Sequence, residues 1–86
     1  MNTYFKNQLD LSKSLNKVID DYWKFKVDEE FLEGYISEIA KNNETLLFYK
    51  DGGYTSIVKN RVGIKRLRLV SKILHKLDEG GEKIDT

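Results

Sequence analysis

Hydrophobic positions recur at helical spacing in three parts of this chain. Over residues 7–26, Leu11, Leu15, Val18, Ile19 and Tyr22 step by three and four. Lys13, Asn16, Lys17, Asp20, Asp21 and Lys24 fill the other side, so the period predicts a first amphipathic helix. Trp23 and Phe25 flank the stripe; Trp23 reads as an edge-of-core residue, with ligand stacking as the alternative. Val27-Asp28-Glu29-Glu30 reads as the start of a second helix. The Asp28 carboxylate can accept from exposed amides, and the acids after it suit the positive end of the helix dipole. Leu32, Tyr35, Ile36, Ile39 and Ala40 form its stripe, Gly34 falls on its outer face, and Asn42-Asn43 ends it near Lys41. The short link between the two helices predicts antiparallel neighbours.

The third period lies in residues 61–77, a basic stretch without an acid. At about 100° per residue from Arg61, the side chains of Lys65, Arg68, Lys72 and Lys76 fall within roughly 80° of one another. Leu67, Val70, Ile73, Leu74 and Leu77 fall opposite, with Ile64 and Leu69 at the edges. One helix would then carry a cationic ridge outside and an aliphatic stripe inside. Arg66 lies within the apolar arc, so it must snorkel or find an acidic partner. Gly63 reads as a joint before this helix. Asp78-Glu79-Gly80-Gly81 is expected to stop it, leaving 79–86 as a mobile tail.

Between the second and third periods the pattern supports two readings. Leu46-Leu47-Phe48-Tyr49 and Tyr54-Thr55-Ser56-Ile57-Val58 flank Asp51-Gly52-Gly53, which spells a short β-hairpin at 46–58. The alternative is a loop, with Thr55 capping a short helix over Ser56–Val62. The helix is favoured, because an isolated two-stranded hairpin is weak. Residues 1–6 show little pattern; Tyr4 and Phe5 either pack back on the core or fray. The fold class expected is therefore all-α: one compact domain of three or four helices.

Composition narrows the function classes. Eighty-six residues make a single domain with a modest core, and without cysteine neither a disulfide nor a thiolate metal site can reinforce it. No apolar run spans a bilayer and no signal-peptide pattern opens the chain, so the expectation is a cytoplasmic protein without a membrane partner. Proline is absent and the net charge is only +1, but its distribution is uneven. Asp20, Asp21, Asp28, Glu29, Glu30, Glu33 and Glu38 crowd the first half; Lys59, Arg61, Lys65, Arg66, Arg68, Lys72 and Lys76 crowd the second. The two halves should attract each other.

Catalytic chemistry finds little footing. His75 is the lone histidine, reads as solvent-facing, and would need carboxylates for every other zinc ligand. Glu29, Glu30, Glu33 and Glu38 sit on the polar side of a helix start with no paired base or nucleophile. Ser12, Ser14, Ser37, Ser56 and Ser71 lack a nucleophile elbow, and Asp51-Gly52-Gly53 lacks the spacing of a phosphate loop. No catalytic residue, metal or cofactor is expected. The candidate partner-binding residues are Arg61, Lys65, Arg68, Lys72 and Lys76. They read either as a solvated face or as a docking surface for an acidic protein patch. The alternative partner is a DNA or RNA backbone, with Ser56–Val62, Gly63 and residues 64–76 as a helix-turn-helix-like unit. The ridge carries few groups for base edges, and the apolar edges Ile64 and Leu69 favour a protein. A homodimer is a further outcome.

The chain resembles a family of small, functionally uncharacterised proteins of low-GC Gram-positive bacteria and their mobile elements. The resemblance rests on Asp21-Tyr22-Trp23 ending the first helix, Asp28-Glu29-Glu30 opening the second, Asn42-Asn43 and Tyr54-Thr55, then on Gly63, Lys65, Arg66, Leu67, Val70, Lys72, Ile73 and Leu74. It covers most of the chain and implies no activity. It implies that Gly63 and Arg66 are framework positions. A mobile-element origin would imply a small inhibitor that docks on a host defence or regulatory protein.

Overall fold

The computed structural model describes residues 2–85, with side chains described for residues 2–77. The chain runs through α1 (Gln8–Trp23), α2 (Glu29–Asn42), α3 (Glu44–Leu47), α4 (Ser56–Val62) and α5 (Ile64–Asp85). This is the expected all-α domain, with the one-turn α3 added to four longer helices. Each stripe read from the sequence supplies the core: Leu11, Leu15, Val18 and Ile19 from α1, Leu32, Tyr35, Ile36 and Ile39 from α2, and Leu67, Val70 and Ile73 from α5. Val58 and Val62 of α4 and Leu47 of α3 complete it. α1 packs chiefly on α4 and also on α2, while α5 packs on α2 and α4. No described helix is long and apolar enough to cross a membrane.

The helix starts follow side-chain chemistry. Asn7 Oδ1 accepts from the Asp10 amide at 2.9 Å, and Asp28 Oδ1 accepts from the Phe31 amide at 2.8 Å. The expected Asp28 cap is thus present. The end of α1 falls where the resemblance put it, at Asp21-Tyr22-Trp23, and short of the end that the apolar period suggests. It stops at Trp23 rather than Lys26, because the Lys26 amide donates to Asp21 O at 2.8 Å and the Phe25 amide to Tyr22 O at 3.0 Å. This Schellman turn needs a left-handed residue at its centre, and Phe25 fills that place at φ 63° with 95% of its surface exposed. The left-handed region costs an L residue about 1–2 kcal/mol, and an exposed ring returns little packing. Phe25→Gly is therefore expected to stabilise the domain by about 0.5–1 kcal/mol after the entropy of an added glycine. Urea unfolding should show the higher midpoint; a lower one would mean that the ring is packed.

Of the two N-terminal aromatics, Phe5 packs against the core whereas Tyr4 stays 68% exposed. Asn43, buried between α2 and α3, accepts from the Phe5 amide at 3.0 Å and donates to Thr3 O at 2.6 Å and Ile39 O at 2.9 Å. Tyr35 adds a bond from its hydroxyl to Asn2 O at 2.9 Å.

Residues 48–54 settle the ambiguous stretch mostly in favour of the helix. α4 has the expected bounds, and the hairpin reading survives only as a single antiparallel bridge between Phe48 and Tyr54. The Tyr49 amide donates to Gly53 O at 2.7 Å and the Thr55 amide to Leu47 O at 3.0 Å, the two bonds of that bridge, and the ladder goes no further because α3 and α4 take up the residues on either side. Thr55 sits at the N-cap of α4, but its side chain is no cap: buried, it donates to Leu46 O at 2.7 Å and ties the loop to α3. Gly63 is the expected joint. It ends α4 and opens α5 at φ 87° and ψ 159°, and the Leu67 amide donates to its carbonyl at 3.0 Å. The expected stop at Asp78-Glu79-Gly80-Gly81 does not occur, since the α5 backbone continues to Asp85. A helical glycine weakens the turn by about 1 kcal/mol without blocking it, as proline would. The expectation of a mobile tail at 79–86 lies outside the described side chains.

The candidate basic surface

Arg66 shows how the charge asymmetry is used. It lies partly buried at the edge of the core, where its Nε and Nη2 donate to Asp20 Oδ1 at 3.0 Å and Oδ2 at 2.9 Å, and its Nη1 donates to Val62 O at 3.1 Å. The predicted acidic partner is thus Asp20, and the fork ties α5 to α1. Lys76 repeats the pattern at the other end, its Nζ 2.9 Å from Glu33 Oε2. Both pairs join a first-half acid to a second-half cation, as the uneven charge predicts. The Arg66 hydrogen bonds hold the Asp20 carboxyl below the usual aspartate range, against desolvation, which raises it.

A depressed carboxylate stabilises the fold fully above its unfolded pKa and loses that contribution as pH falls through the lower folded value. The stability gap between the native protein and Asp20→Asn should therefore stay constant from neutral pH to about pH 4 and shrink below it. Denaturant titrations across that range test this. A gap that shrinks already near neutral pH would mean that Asp20 is not held low.

Lys65, Arg68, Lys72 and Lys76 all lie exposed along α5, while Leu67, Val70 and Ile73 are buried behind them. Arg61 is also exposed but lies on α4. The sequence phase counted Arg61 along one continuous helix; the φ of Gly63 interrupts that helix, so the shared phase holds for the four cations of α5. Leu77, expected inside, is 40% exposed. His75 is exposed.

The ridge is unequal along its length. Lys65 Nζ stands 5.9 Å from the Trp23 ring centroid, a cation–π contact that leaves Trp23 at the rim of the core and 41% exposed. Lys76 is held by Glu33, whose hydrogen bond and charge, with Glu29 behind, raise the ammonium above the usual lysine range. Lys72 and Lys76 line a cleft of about 140 Å³ with Glu29 and Glu33, and of the two cations Lys76 is the one paired there. Among the described residues, Arg61, Arg68 and Lys72 make no ion pair.

On the other flank a wider groove of about 680 Å³ opens between α4 and α5, lined by Tyr54, Lys59, Asn60, Ile64, Leu67, Arg68 and Ser71. Sequence reasoning did not single out Tyr54, Lys59, Asn60 or Ser71 for this site. The available signal was Ile64, an apolar residue outside the α5 stripe, now 71% exposed. Among the described residues, no group of three or more His, Cys, Asp and Glu side chains could hold a metal ion.

A family model described as "Conserved hypothetical protein" matches residues 2–75. No curated protein and no solved structure matches the chain.

Proposed function

Because the chain belongs to that family of conserved hypothetical proteins, we propose its role from geometry and charge: a non-catalytic binding protein that docks the basic face of α5 on an acidic surface of a partner protein. The observation that carries this reading is the contrast among the charges. Within the acid-free segment 56–77, Arg66 and Lys76 are taken up by Asp20 and Glu33, whereas Arg61, Arg68 and Lys72 stand exposed without an ion pair among the described residues. Cations left over after internal pairing are the ones an acidic partner can use, for steering as much as for affinity. The resemblance to mobile-element proteins supports a host defence or regulatory protein in the cytoplasm as that partner.

The test is Lys65→Glu/Arg68→Glu/Lys72→Glu. All three side chains are exposed, so the variant should keep its far-ultraviolet spectrum and melting behaviour while losing partner capture from lysate. Unchanged capture would end the proposal. The same cations would also grip phosphates, and a mobility shift at low salt that fades steeply with added salt would favour that second reading. A single-residue joint at Gly63, tighter than the three- or four-residue turn of a helix-turn-helix reader, weighs toward the protein partner.

A further inference from the structure

We infer that the groove between α4 and the first half of α5 seats an acidic, amphipathic peptide segment of the partner, an inference that rests on the protein-docking reading above. The groove's lining includes two aliphatic side chains, Leu67, which is buried, and Ile64, which stands 71% exposed. Tyr54 also lines the groove and is fixed in place, its hydroxyl sharing a 2.7 Å hydrogen bond with Ser71 Oγ and its ring packed 5.1 Å from the Phe48 centroid. A side chain held this way loses little freedom when a ligand arrives.

The rim supplies the charge. Lys59 and Arg68 are exposed, neither makes an ion pair among the described residues, and none of the lining side chains is acidic. An occupant with one apolar face and one acidic face satisfies both features, which is the helix-in-groove mode of peptide recognition. A volume of about 680 Å³ has room for side-chain anchors, whereas the 140 Å³ cleft on the other flank is smaller and already holds Glu29 and Glu33.

Two other occupants fit less well. A nucleic-acid backbone would meet the cations but leave Ile64 and Tyr54 facing sugar and phosphate, with no gain from their apolar surface. A second copy of this chain would bring exposed acids such as Glu29, Glu30 and Glu38, but they lie on α2, whose apolar stripe Leu32, Tyr35, Ile36 and Ile39 is already buried in its own core and cannot fill the groove.

The probe is a fluorescein-labelled helical peptide with leucines on one face and glutamates on the other, followed by anisotropy. Saturable binding is expected, with amide shifts in a nitrogen-labelled spectrum centred on Tyr54, Ile64, Leu67 and Ser71. Ile64→Asp should weaken it by about tenfold and Arg68→Ala by a smaller factor, since a central apolar anchor outweighs a rim charge. Ile64→Ser, which adds no charge, should give the same direction and separates loss of the apolar contact from repulsion. Peptides with lysine in place of glutamate, or serine in place of leucine, should not saturate.

Three outcomes overturn the inference: no binding, binding indifferent to both Ile64 variants, or a single-stranded oligonucleotide that saturates and shifts the same amides in the peptide's place. Sedimentation showing a dimer that Ile64→Asp dissociates would also overturn it, in favour of a second copy. In the lysate assay, capture lost in the triple charge reversal but kept in Ile64→Asp removes the groove and leaves the docking reading standing. Capture kept in both removes the two together.

Discussion

Replacing Gly63 by alanine is expected to destabilise the domain by about 1–3 kcal/mol, the usual cost of holding an L residue in a backbone region that essentially only glycine occupies. Gly63 has φ 87° and ψ 159°, and an added Cβ would meet no atom within 4 Å, so the loss would come from the torsions rather than from a clash. The joint is shared: Gly63 N–H donates to Lys59 O at 3.2 Å and its carbonyl accepts from Leu67 at 3.0 Å. Relaxing its φ would therefore pull on both helices and on the buried Val62 and Leu67. Gly34→Ala is the matched control. Gly34 lies exposed within α2, its Cβ would also meet nothing within 4 Å, and the change should stabilise by about 1 kcal/mol. Urea midpoints moving in opposite directions confirm the pair; a neutral Gly63→Ala would show that the joint is not constrained.

Asn43→Ala is expected to cost about 2–3 kcal/mol, because the Phe5 amide loses its acceptor while two carbonyls lose a donor. The effect should be felt beyond α2. Thr3, Phe5 and Ile39 are all held by this one amide, so the Phe5 amide should exchange rapidly with solvent while Tyr35 and Asn42 still hold Asn2 and Thr3. Asn43→Asp keeps the acceptor but points a carboxylate at Thr3 O and Ile39 O, so at neutral pH it should be at least as damaging. Native-like exchange at the Phe5 amide in Asn43→Ala would show that the Asn43 side chain is not what protects it.

These two residues also mark how far the sequence could be read. The stripes of α1, α2 and α5 were legible because burial follows the 3.6-residue period, and Asp28 marked the start of α2 through its own chemistry. Arg66 was legible as a misfit that needed an acid, although only the fold could name Asp20. What escaped were features set by neighbours distant in sequence. Asn43 read only as a helix stop, because its partners Thr3 and Phe5 lie some forty positions away. Phe25 escaped for the opposite reason: a local turn that usually takes glycine has taken an aromatic residue, against the propensity a reader relies on. Thr55 carried a capping signal, but its hydroxyl was claimed by Leu46 O.

The candidate surface divides along the same line. That Lys65, Arg68, Lys72 and Lys76 share a face was local information and could be counted along the helix. That Lys76 is tied to Glu33, that Lys65 lies over Trp23, and that Arg68 overlooks an apolar groove required the packing of α5 on its neighbours. Arg61 was misphased because the turn at Gly63, recognised as a joint, was still counted as helix.

The account depends on the outward cations of α5 meeting carboxylates of another protein. A zero-length carboxylate-to-amine cross-linker, applied to native complexes and read by mass spectrometry, tests this most directly. Cross-links from Lys59, Lys65 and Lys72 to acidic residues of one partner are the result predicted. A partner joined instead through Lys13, Lys24 or Lys41, with those three lysines unmodified by it, would place the interface elsewhere and contradict the account.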